Sequence, residues 1–203
     1  MKLPSDPDTV KGFLDPAEGA RLYELATEGA VLGPCLEVGS YCGKSTIYLA
    51  AACAEAGEQV FAIDHHRGSE EHQLGEEYHD SSLYDSEVEK MDTFPEFRRN
   101  LDRAGLSDFV VPIVAGTLAA GRYWRTALGM VFIDGGHSDA AALTDYRTWA
   151  PHLLPGGILA IHDIFPNPEE GGQAPHHIYQ LALASGLFEP LPMVKTLGAL
   201  KRL

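Results

Sequence analysis

Cys35-Leu36-Glu37-Val38-Gly39-Ser40-Tyr41-Cys42-Gly43-Lys44-Ser45-Thr46 is the stretch around which the rest of the chain can be read. Apolar residues lead into Glu-x-Gly-x-x-x-Gly, and a run of small and apolar residues, Ile47 to Ala54, follows. The pattern predicts a buried strand over 35–38, a glycine turn, and a helix from about 43 to 56 that stops at Gly57. Glycines serve such a turn because they accept φ > 0 and let a ligand approach the backbone closely. The free N–H groups of the new helix give the turn an electropositive end.

Downstream, strands and helices alternate. Residues 59–64 read as a second buried strand ending in Asp64, 109–114 as a third, 129–134 as a fourth and 156–163 as a fifth. Helices are predicted over 16–27, with Asp15 as N-cap before Pro16, and over 91–104, 118–127, 139–149 and 176–185. The first of these is expected to cover the sheet edge or a bound cofactor. Pro112 argues that the third strand lies at an edge. From Phe188 onward two closing strands are expected. The alternation predicts an α/β fold with a doubly wound, mostly parallel, seven-stranded sheet, and no linker or repeat divides the 203 residues into more than one domain.

Residues 65–91 break the pattern. They carry His65, His66, His72 and His79 among many acids and show little hydrophobic periodicity. A long polar segment after a strand's C-terminal end lies on the ligand side of an open α/β sheet, so it reads either as a lid or substrate loop or as a plain solvated loop.

Composition narrows the function. The chain is 45% hydrophobic with a formal charge of −14, which fits a globular protein and repels nucleic acid and anionic membrane. No apolar run approaches a membrane span, and the start lacks the apolar core of a signal peptide. Three cysteines (Cys35, Cys42, Cys53) without a C-x-x-C pair fit a reducing cytoplasm. Self-association, as a homo-oligomer, stays open.

Two ligand classes suit the first turn. Gly39 to Lys44-Ser45 approaches the phosphate-binding G-x-x-x-x-G-K-[ST] loop but is one residue short, and Asp134 at the end of an apolar strand would complete a magnesium–nucleotide site. The other class is S-adenosylmethionine (SAM), whose cationic methionine end suits a carboxylate such as Glu37. Here the sequence resembles the first motif of the class I, Rossmann-like, SAM-dependent methyltransferases. Strand four ends in Asp134-Gly135-Gly136-His137 and strand five in His162-Asp163. Together these resemble the metal-dependent small-molecule O-methyltransferases of that class, most closely the sugar-directed branch, over roughly residues 30 to 165.

The resemblance implies a Rossmann-like sheet closed by an antiparallel strand. For the cofactor it implies Glu37, Gly39, Ser40, Gly43 and Ser45 at the turn, Asp64 on the ribose hydroxyls with His65 beside it, and Gly116 and Thr117 at the adenine edge. It implies Asp134, His162 and Asp163 as ligands of a divalent metal, magnesium first among the candidates, although His162 stands where the branch often has an acid. Asp134 and His137 carry the chemistry, with His137 as general base. The expected function is methyl transfer from SAM to a hydroxyl of a small sugar or natural-product acceptor. A P-loop-like nucleotide hydrolase and a non-catalytic SAM- or metal-binding protein remain as alternatives.

Overall fold

The computed structural model describes residues 3–69, 75 and 79–203. Asp15 starts the first long helix, α1 (Pro16–Ala30), through a capping box. Its side chain accepts the Ala17 N–H at 2.8 Å, and Glu18 reaches back to the Asp15 N–H at 3.2 Å. The fully buried strand β1 (Cys35–Val38) leads into α2 (Lys44–Ala56), whose two flanking glycines, Gly43 and Gly57, are left-handed. The chain continues through β2 (Val60–Asp64), a short hairpin of β3 (Tyr84–Asp85) and β4 (Lys90–Met91), and α3 (Phe94–Ala104). Next come β5 (Val110–Val114), α4 (Thr117–Gly121), β6 (Leu128–Ile133), α5 (Asp139–Trp149), β7 (Leu153–Ile161), α6 (Ala174–Ala184), β8 (Phe188–Val194) and β9 (Leu197–Arg202).

The main sheet has seven strands in the order β5-β2-β1-β6-β7-β9-β8. β5, β2, β1, β6 and β7 run parallel, while β9 is antiparallel to both β7 and β8. The doubly wound sheet and its antiparallel closing strand are therefore as expected, and Pro112 does lie on the edge strand. Strand order reverses between β1 and β6, the place where open α/β sheets bind ligands beyond the carboxyl ends of their strands. One apolar layer joins α1, α2 and α3 to one sheet face, including Leu22, Leu25, Ile47, Leu49 and Phe97. The other joins α5 and α6 to the opposite face, around Trp149, Val131 and Ile178.

Two expectations need correction. The helix expected over 118–127 is a single turn, α4. Gly121 lies so close to α5 that a Cβ there would meet Thr148 Cγ2 at 2.2 Å. Past it, Trp124 leaves the helical path to pack edge-on against Phe61 and Trp149, with ring centroids 4.8 and 5.3 Å away. Next, α1 does not cover the sheet edge. It crosses β6 and β7 beside α2, and the approach is backbone to backbone, since a Cβ on Gly129 would stand 2.0 Å from Gly29 O.

Within residues 65–91, the described part carries a short hairpin. Leu83 and Met91 are buried anchors of the β3–β4 hairpin. Lys11 reaches across to Asp80 and Ser82, each at 2.5 Å. His72 and the acids Glu70, Glu71, Glu76 and Glu77 lie outside the described residues. Other boundaries move by a few residues. Strand five, for example, begins at Leu153, and Pro155-Gly156-Gly157 falls in a register shift before the regular pairing from Ile158.

Candidate active site

Backbone hydrogen bonds gather the carboxyl ends of the parallel strands into one rim. Gly39 N donates to Ile63 O, Asp134 N to Val38 O, His162 N to Ile133 O and Ala115 N to Asp64 O, at 2.9 to 3.1 Å. The turn and the tip of β6 touch directly: a Cβ on Gly39, whose φ is 86°, would lie 2.0 Å from Asp134 O. Glycine at 39 is thus required twice, by conformation and by space.

Glu37 sits beneath this turn, fully buried. Its Oε2 accepts the Thr46 hydroxyl at 2.6 Å, while Oε1 and the neighbouring Ser40 hydroxyl have no hydrogen-bond partner among the described residues. Burial pushes the Glu37 carboxyl up to about 7, against the pull of the Ser45 and Thr46 hydroxyls. A buried acceptor without a donor calls for one from a ligand, and an ammonium group would supply it. Asp64 caps the turn from β2. Its Oδ2 accepts both Ser40 N–H and Tyr41 N–H at 2.9 Å, and Oδ1 accepts His66 N–H at 2.7 Å. Tyr41 is held at φ 45° within this loop.

The other turn residues divide. Gly43 is left-handed at φ 90°, and a Cβ there would press on Phe97 at 3.2 Å. Lys44 points away from the turn toward the N-terminal segment, its Nζ 3.4 Å from Asp8. His65 is exposed, and its Nδ1 accepts the Arg67 N–H. His66 is the buried one, bonded to Thr93 Oγ1 at 2.7 Å and set among Phe94 and Phe97. Cys42 is a buried turn residue whose thiol burial pushes up to about 12, so it stays protonated.

At the tips of β6 and β7, four side chains converge. His162 is 4% exposed. Its Nδ1 lies 3.1 Å from Asp134 Oδ1 and 3.5 Å from Asp163 Oδ1, and its Nε2 lies 3.1 Å from Glu18 Oε2. Asp163 turns its other oxygen, Oδ2, to His137 Nε2 at 3.2 Å, from a left-handed backbone at φ 57°. Burial alone would lower the His162 pKa, but Asp134, Asp163 and Glu18 overcome it and hold the ring protonated well above the ordinary histidine range. Asp163 is likewise held well below the usual carboxylate range by His137 and His162, in spite of its burial.

One donor atom each from Asp134, His162 and Asp163 can be chosen so that all lie within 4.8 Å of one another. Carboxylates crowding one imidazole make a site with a surplus of negative charge, and mixed oxygen and nitrogen donors accept several divalent metals. The donor set therefore fits a divalent cation in place of the Nδ1 proton. A cavity of about 10 Å³, room for roughly one water molecule, opens beside Asp134, His137 and His162.

Residues 36–164, well over half of the chain, match the family described as "Methyltransferase domain". The chain belongs to the class I, SAM-dependent methyltransferases. Solved structures of similar fold include the O-methyltransferase NovP, at 14% identity and a TM-score of 0.70, with 92% of this chain and 79% of that one covered. An O-methyltransferase from Bacillus cereus in complex with S-adenosylhomocysteine is 17% identical, with 94% and 83% covered and a TM-score of 0.64. The O-methyltransferase TomG from Streptomyces achromogenes, solved with SAM, is 17% identical, with 94% and 81% covered and a TM-score of 0.63.

In this methyltransferase the remaining expected cofactor residues, Gly116 and Thr117, lie apart from the metal-type cluster. They line an open depression of the surface between the β5 exit and the start of α5, with Leu118, Ala140, Thr144 and Asp145. Asp145 was not anticipated. It is buried against Gly135, where a Cβ would fall 2.6 Å from its Oδ2, and burial pushes its carboxyl up to about 6 against a hydrogen bond from Thr117. Glu18 was also missed. Its reading as a capping-box acid was available from Asp15-Pro16-Ala17-Glu18, but nothing local points to a histidine 144 residues away.

Proposed function

We propose that this methyltransferase transfers the SAM methyl group to a hydroxyl of a small sugar-like or natural-product acceptor. Asp134, His162 and Asp163 would hold a divalent cation, and His137 would act as base. The observation that carries this reading is the contact between the Gly39 turn and Asp134 O, which seats the acid–imidazole cluster next to the cofactor bend. The structural neighbours support it: all three are O-methyltransferases, the Bacillus cereus enzyme in complex with S-adenosylhomocysteine and TomG with SAM.

Each residue then has a task. The orphan Oε1 of Glu37 accepts from the methionine ammonium, and Asp64 accepts from the ribose hydroxyls at the cost of its present bonds to the turn amides. Gly116 and Thr117 border the space for adenine. Asp134, His162 and Asp163 would hold a divalent cation, which would supply charge to lower the pKa of a nearby acceptor hydroxyl. Asp163 Oδ2 accepts from His137 Nε2–H, which selects the ring tautomer whose basic nitrogen is Nδ1, and that nitrogen takes the acceptor's proton. The reacting oxygen must line up with the sulfonium methyl, so much of the rate comes from holding the two partners in place.

The same proposal extends to the setting. The chain is read as one domain, with 65–91 as the lid over the acceptor. Its unpaired buried cysteines suit a reducing cytoplasm. Among the described residues no helix is long and apolar enough to cross a membrane. The nucleotide-hydrolase alternative is disfavoured because Lys44 pairs with Asp8 rather than entering the turn, and Glu37 would repel a triphosphate.

His137→Ala is the deciding test. SAM affinity by calorimetry should stay within twofold, about the resolution of that measurement, while S-adenosylhomocysteine release on a panel of sugars, catechols and phenols should fall by about 10²–10⁴-fold. Unchanged turnover would remove the histidine base. Tight SAM binding by the wild type with no methyl transfer to any hydroxyl would favour a non-catalytic binding protein.

A further inference from the structure

Glu18 is the most completely satisfied carboxylate in the site, although it comes from the first turn of α1, far from the strand tips in sequence. It is 3% exposed. Oε1 accepts Thr196 N–H at 2.8 Å and Thr196 Oγ1–H at 2.7 Å. Oε2 accepts Asp15 N–H at 3.2 Å and faces His162 Nε2 at 3.1 Å. The capping box of α1 and the turn between β8 and β9 thus hold one carboxylate still behind one imidazole ring.

A capping box needs only an exposed Glu at this position. Here both oxygens are buried and each has two partners, so the arrangement does more than start a helix. The ring it contacts faces Asp134 Oδ1 and Asp163 Oδ1 with its opposite nitrogen. Metal-binding histidines are commonly oriented in this way, by a carboxylate taking the proton of the nitrogen that does not bind.

We propose that Glu18 is a positioning residue for the metal centre. It accepts the His162 Nε2–H and so fixes the ring with the Nδ1 lone pair aimed at the space between Asp134 and Asp163. This rests on the metal reading above and adds to it which nitrogen binds and what holds it there. Thr196 and the Asp15 backbone serve as anchors for Glu18 and have no contact with the cation.

The test uses Co²⁺, whose unpaired electrons shift the proton resonances of a bound imidazole far outside the normal range. Wild-type protein titrated with Co²⁺ should show one such resonance that vanishes in D₂O, the Nε2–H held by Glu18. Glu18→Gln should displace or broaden that resonance and weaken Co²⁺ binding by calorimetry about 10–100-fold. Unchanged SAM affinity would report an intact fold. A folded Glu18→Gln with the same Co²⁺ affinity and the same resonance would overturn the role of Glu18 while leaving the metal reading intact.

Two other outcomes are also decisive. A wild type that binds Co²⁺ without any exchangeable shifted resonance would mean that carboxylates alone hold the cation. A wild type that binds none would sink the metal reading and this inference together. Should Glu18→Gln not fold, Thr196→Val removes one donor to Oε1 and leaves the ring contact in place. Its Nε2–H should then exchange faster with solvent than in the wild type, and an unchanged exchange rate would count against the proposal.

Discussion

Glu37 couples the cofactor bend to pH. In the unfolded chain its carboxyl gives up its proton near 4.5, and in the fold it keeps the proton to about 7. Between those values the folded state binds more protons than the unfolded one. Its contribution is therefore greatest at the acid end of that window and declines as pH rises, by about 3 kcal/mol across the whole window. Glu37→Gln cannot titrate, so without SAM its melting temperature should gain on the wild type between pH 5 and pH 8. A difference that stays constant with pH would contradict the burial of a titrating carboxyl there. SAM should narrow the gap if, as proposed, its ammonium meets Oε1. At Asp64 the expectation is simpler. Asp64→Ala removes a charged acceptor and should weaken SAM binding by about tenfold or more, read by calorimetry, and an unchanged dissociation constant would remove it from the ribose site.

Among the elements, β1, the turn and α2 form a unit whose tolerance can be tested from both ends. Gly39→Ala would drive a methyl group into Asp134 O and force a left-handed backbone on alanine. It should cost at least about 2 kcal/mol and abolish SAM binding, both visible in one thermal-shift series with and without SAM. Lys44→Ala, one turn further on, should leave SAM affinity unchanged, because Lys44 lies against Asp8 and Gly12. If instead ATP shifted the wild-type melt and Lys44→Ala erased that shift, the phosphate-loop reading would return. This unit was legible in the sequence because its signals are local: a four-residue strand apolar except for Glu37, two glycines with positive φ, and a helix rich in small residues. α4 was misread for the opposite reason. Ala119, Ala120 and Gly121 look helical in sequence, while the features that end the helix, the closeness of Thr148 and the edge-on packing of Trp124 against Phe61 and Trp149, are tertiary. The polar segment 65–91 hid its two anchors, Leu83 and Met91, since single apolar residues produce no period.

For the molecule as a whole, strand order follows from the alternation of elements, and with it the expectation that Asp134, His162 and Asp163 meet. What the alternation cannot convey is which helix lies behind the meeting point. α1 reaches His162 because Gly29 and Gly129 let two backbones touch, a coincidence of residues 100 positions apart. The charge of −14 also acts at this scale. An acceptor carrying a phosphate should be methylated more slowly than its neutral counterpart at low ionic strength, and the gap in kcat/KM should close as salt rises. A gap indifferent to salt would place the discrimination in the pocket rather than in the overall field. Finally, the partners of Glu18 set an order of events in assembly. Thr196 sits between the strands of the β8–β9 hairpin, 178 residues after Glu18. Until that hairpin docks, the carboxylate lacks half of its donors, so the central strands can be wound while the ring of His162 is still held by a half-anchored partner.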